Sequence, residues 1–150
     1  MAIGDLNKKF GWIWLLIAPL LGILITAMLN SRGAEYSSVM REVTIAGQNL
    51  TLYMGEAFPR VANRLLHVHS GLLAFLNILY GLSIDNVPLT EKTKRLGSIL
   101  AIAGAVLVTF GFYSIQVMSL SSLGFPLRVL GGISIVVAIL ILAVGEIKKK

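Results

Sequence analysis

The chain has 150 residues, 56% hydrophobic and only 13% charged, with a mean hydropathy of +0.84, no cysteine and a formal net charge of +6. A soluble domain of this length is about a quarter charged, so a water-soluble fold is excluded, and the lack of cysteine removes disulfides, thiolate metal sites and iron–sulfur clusters. The positive charge does not suggest nucleic-acid binding, because the lysines are confined to three places: Lys8 and Lys9, Lys92 and Lys94, and Lys148 to Lys150.

The apolar residues gather into four blocks, about 10–29, 62–82, 96–117 and 126–144. Each is close to the ~20 residues that cross a bilayer core of about 30 Å as a helix, and each is apolar all round rather than striped. The first, "WIWLLIAPLLGILITAMLN", follows Lys8 and Lys9 as a signal peptide would. It is too long for a typical apolar core of that kind and lacks a clear cleavage site, so it is taken as a spanning helix. Pro19 is expected to bend it, as membranes tolerate. Trp12 and Trp14 fit an interfacial aromatic belt.

The long 30–61 connection follows. Its middle, "EVTIAGQNLTLYMG", places Val43, Ile45, Leu50 and Leu52 around turn-prone "AGQN" and reads as a β-hairpin-like cap. Asn49-Leu50-Thr51 is a glycosylation sequon compatible with an external face. After the second block, "SIDNVPLTEKTKR" has turn chemistry, with Thr90 as the N-cap of the third helix. The short "SLSSLGFP" makes the third and fourth helices antiparallel neighbours, and Phe125-Pro126 is expected to open the fourth. The lysine-bearing segments and Arg95 then share one side, which the positive-inside rule makes cytoplasmic. The expected fold is an all-α, multi-pass cell-membrane protein, a single domain forming an up-down-up-down four-helix bundle. Its termini are cytoplasmic and its cap is extracellular.

The only two histidines stand in the second block, in "RLLHVHSGLLAFLNILYG". At 100° per residue, His67 and His69 point about 200° apart. They cannot both ligate one ion from an undistorted helix, so each faces a different neighbour. Neutral imidazole buried in a membrane helix suits axial ligation of haem. Arg60 and Arg64 precede His67 where propionates would emerge, and suit them by charge-assisted hydrogen bonds. Met118 is a candidate sixth ligand. Glu56 with one histidine could hold copper or zinc instead. Histidines can also be hydrogen-bonding glue between helices with no cofactor.

"HVHSGLLAFLNILYG" resembles the His-x-His helix of haem-copper oxidase subunit I. That resemblance implies that His67 binds a high-spin haem and His69 a low-spin haem. It covers about fifteen of the 150 residues. The family's copper-binding histidines and opposing haem ligand have no counterpart here, which argues against oxygen reduction by this chain alone. Haem A synthase, another four-helix resemblance, needs histidines on separate helices, and these are lacking too.

Gly97, Gly104 and Gly111 recur every seventh residue, with Ala101 and Val108 on the same face. Such a stripe suits close helix packing or a porphyrin plane. Asn77 with Tyr80, and Tyr113 with Gln116, offer donors to a quinone headgroup or to neighbouring helices. No hydrolase, transferase or phosphate-binding motif is present, and no carboxylate lies mid-membrane, which weighs against a proton-driven transporter. The expected function is a haem-binding or haem-associated electron-transfer subunit of a respiratory-type membrane complex. Its partners are lipid, other membrane subunits or a homo-oligomer mate. The competing expectation is a cofactor-free structural or assembly subunit.

Overall fold

The computed structural model describes residues 2–31, 39–45, 47–55, 58–116 and 120–149, with the backbone alone for 29–30, 39–45, 49–55, 58–62 and 116. Four long helices dominate: α1 (Gly4–Ser31), α2 (Phe58–Ser83), α3 (Glu91–Gln116) and α4 (Ser121–Ile147). All four are long and apolar enough to cross a membrane, so the chain is a multi-pass membrane protein. Between α1 and α2 lie strands β1 (Val39–Ile45) and β2 (Gln48–Gly55), paired antiparallel from Ile45 against Gln48 to Val39 against Gly55. Gly47, at φ +79°, turns the chain between them. That backbone conformation carries a steric penalty for residues with a Cβ.

The helices run past the apolar blocks because hydropathy marks the part that lies in hydrocarbon, not the part that is helical. Polar "GDLNKK" and "EKTKR" simply continue α1 and α3. One helix start needs correction. Phe125-Pro126 does not open α4, which begins at Ser121 and carries Pro126 inside it. The "SSLGF" segment is already helical, so the proline ring removes one hydrogen bond, that to the Ser122 carbonyl. Thr90 caps α3 as expected, its Oγ1 accepting the Thr93 N–H at 3.3 Å.

Small residues at seven-residue spacing set the packing. On α4, Gly124, Gly131, Ala138 and Gly145 are all buried. Gly111 on α3 meets Gly124 and Arg128, and Gly104 meets Gly131 and Ile135. The stripe is thus covered by α4 and used for close helix approach, which leaves no flat face for a porphyrin. On α1, Gly4 lies against Gly81 and Gly11 against Ala74 and Ile78 of α2. In each pair the numbers rise on one helix as they fall on the other, so neighbours are antiparallel and the order is up-down-up-down.

Two tightly packed hairpins result, α1 with α2 and α3 with α4, joined along α2 and α3. The edge helices are open: 22% of the apolar stretch of α1 and 11% of that of α4 is buried, against 39% and 50% for α2 and α3. At one end, the Asp85 carboxylate accepts the Gly4 N–H at 3.1 and 3.2 Å, and Lys94 Nζ donates to the Asp85 carbonyl at 3.0 Å. Gly145 packs against Val87 and Leu89 at that same end. The start of α1, the α2–α3 turn and the end of α4, with their lysines, therefore share one side of the bundle.

Candidate functional site

Both histidines stand on α2, and the structure sends them to opposite sides of it. His67 shares the seven-residue row of Ala74 and Gly81, the row that faces α1. Its imidazole rests directly on Gly22, where any Cβ would collide with the ring. His67 is nevertheless an exposed residue, and it makes no hydrogen bond among the described residues. Gly22 is therefore the residue that lets an imidazole lie across α1 and still reach the bundle's outer surface.

His69 turns towards α3 and α4. Its Nδ1 lies 2.7 Å from the Leu65 carbonyl oxygen, and the ring tilts against Phe112 with centroids 4.9 Å apart. A carbonyl oxygen can only accept, so Nδ1 carries the hydrogen, and in the neutral ring Nε2 keeps a lone pair. The Arg128 guanidinium of α4 sits 4.3 Å above the same Phe112 ring, a favourable cation–π arrangement. His69, Phe112 and Arg128, with Val108, Phe125 and Val129, line a cleft of about 270 Å³.

Arg64 is exposed, three residues before His67. Arg60 lies in the backbone of α2, but its side chain falls outside the described residues, as do Met118, Glu56 and the side chain of Asn49. Among the described residues, no three histidine, aspartate, glutamate or cysteine side chains gather as a metal site. The histidines cannot share an iron, and each face supplies one imidazole nitrogen. For His69 the Nδ1–H bond to a carbonyl is the arrangement that orients metal-bound histidines. His67 is an exposed residue whose ring has no hydrogen-bond partner among the described residues, which is what an external ligand would need.

The polar residues inside the bundle are mostly committed to one another. Asn7 Nδ2 donates to Asn77 Oδ1 at 3.0 Å and to the Ser98 carbonyl at 3.2 Å. Asn77 Nδ2 donates to the carbonyls of Leu73 and Ala101 at 3.0 and 3.3 Å. Asn77 therefore ties three helices together and has no amide hydrogen left for a quinone. Asn63 Nδ2 reaches Thr26 Oγ1 at 2.9 Å, and the Ser70 and Thr109 hydroxyls meet at 3.3 Å. Tyr80 packs its hydroxyl over Gly97, where it is buried with no hydrogen-bond partner among the described residues. Tyr113 lines a second cleft, about 260 Å³, together with Trp14, Leu66 and Phe110.

Sequence reasoning passed over Arg128, and it named Asn77 without the row that Asn63 and Ser70 form with it. The row has a visible signal, three polar residues at seven-residue spacing in an apolar helix. Arg128 has one too, as the cation that interrupts the last apolar block. No known family model matches the chain, and no curated protein or solved structure matches it either.

Proposed function

We propose that this chain is a haem-binding electron-transfer subunit of a larger respiratory-type membrane assembly, with His67 as an iron ligand. The observation behind it is the unpartnered imidazole of His67 lying outward on Gly22. A polar ring facing hydrocarbon is costly without an occupant, and iron coordination by the ring nitrogen would remove that cost. The second axial ligand comes from a partner subunit, a second copy or Met118. Arg60 and Arg64 are the propionate partners in this reading, and copper is the other metal an imidazole here would take. His69 is the second imidazole and serves a separate face. The lysine-rich end is cytoplasmic in a cell membrane, and the paired strands 39–55 cap the other end.

A Soret band in the purified protein, lost in His67→Ala and kept in His69→Ala, is the expected result. A colourless protein that stays bound to partner chains would instead favour a cofactor-free assembly subunit. The open faces of α1 and α4 suit that alternative.

A further inference from the structure

We propose that the cleft shared by His69, Phe112 and Arg128 binds one acidic phospholipid whose headgroup carries hydroxyls, such as phosphatidylglycerol. Arg128 interrupts the most exposed of the four spans, and among the described residues it meets no carboxylate. Its depth explains what it can reach. The 27 residues of α4 extend about 40 Å at 1.5 Å each, against about 30 Å of hydrocarbon, so about 5 Å projects at each end. Arg128, seven residues after Ser121, has its Cα roughly 10 Å from the helix start and so about 5 Å below the headgroup boundary. Helical side chains lean towards the N-terminus, so Arg128 leans to that boundary and snorkels.

The cleft is more selective than a snorkelling cation alone. The arginine stem is seated on Gly111, where a Cβ would come 2.6 Å from Arg128 Cγ, and the guanidinium is laid on Phe112. That fixes a planar, doubly donating fork suited to a phosphate. His69 sets the second requirement. With Nδ1–H bound to Leu65, Nε2 of the neutral ring is an acceptor, so it calls for a donor on the ligand. A choline headgroup has none, whereas a glycerol headgroup offers hydroxyls beside its phosphate. Val108, Phe125 and Val129 form the apolar wall for an acyl chain. The ligand must bring hydrocarbon with it, because Phe125 and Val129 on the cleft wall are exposed apolar side chains of α4. This site lies on the face of α2 away from His67 and is independent of the haem reading.

The test uses the full chain in nanodiscs of phosphatidylcholine, with and without phosphatidylglycerol, followed by native mass spectrometry during detergent extraction. One phosphatidylglycerol should remain per chain when phosphatidylcholine has gone. Retention should fall about tenfold in Arg128→Gln and by an intermediate amount in Arg128→Lys, which keeps the charge but loses the planar fork. Equal loss of both lipids from the wild-type protein overturns the proposal, as does undiminished retention in Arg128→Gln. If Arg128→Gln does not fold, the wild-type comparison decides alone. Inorganic phosphate that displaces the retained lipid from phosphatidylglycerol discs would assign the site to free phosphate and overturn the lipid. A Soret-absorbing ligand lost in Arg128→Gln would assign the cleft to a haem carboxylate, with the same consequence.

Discussion

Adjacent glycines on α4 offer a direct measure of how closely the helices approach. A Cβ at Gly131 would lie 2.8 Å from both Val108 Cγ2 and the Val108 backbone nitrogen, and 2.9 Å from the Gly104 carbonyl oxygen. Carbon atoms settle at about 3.5–4.0 Å from one another, so Gly131→Ala demands roughly 0.7 Å of extra room. Two of the three obstacles are backbone, so a rotamer change cannot supply it and α3 must move away from α4. Overpacking of this kind costs about 1–3 kcal/mol, offset by up to about 1 kcal/mol from replacing a helical glycine with alanine. The next residue is the control. Nothing lies within 4 Å of a Cβ at Gly132, so Gly132→Ala keeps the helix gain, up to about 1 kcal/mol, with no clash. Equilibrium unfolding of the three proteins in mixed micelles, followed by circular dichroism, should place Gly131→Ala below wild type and Gly132→Ala at or above it. Equal stabilities, or the reverse order, would refute the close approach of α3 and α4.

The buried Asn7–Asn77 pair should show a coupling of about 0.6 kcal/mol, at most near 1.7, in a double-mutant cycle to leucine, as membrane hydrogen bonds do. Additive single-variant effects would show that the pair is not formed. Thr90→Ala should lower stability by about 1 kcal/mol and speed hydrogen exchange at the Thr93 amide, with exchange in α4 unchanged. Uniform acceleration across the protein would point to a global rather than a capping effect.

The four spans and their alternating directions were legible because an apolar block of bilayer length and a short connection leave few choices. The opposed faces of His67 and His69 followed from helix geometry alone. What each face meets was not legible, since that depends on how neighbouring helices are rotated. Gly22 beneath His67 and Arg128 beside His69 come from α1 and α4, far away in the chain. Trp12 and Trp14 illustrate the same limit. The first is 66% exposed, as a belt residue would be, whereas Trp14 stacks on Phe10 and buries its indole nitrogen. Composition could not separate two tryptophans two residues apart. The glycine row on α3 was visible, but its use was not: the same spacing serves a helix or a flat ligand, and only the matching row on α4 decides.

The division into two glycine-seamed hairpins has a consequence for biogenesis. Most close contacts join helices consecutive in the chain, so each pair can zip together soon after its second member enters the bilayer, before the other pair has been synthesised. The final event is then a meeting of two finished halves against α3, where the bonds from Asn7 and Asn77 to the Ser98 and Ala101 carbonyls and the Ser70–Thr109 contact act as the latch that admits one alignment.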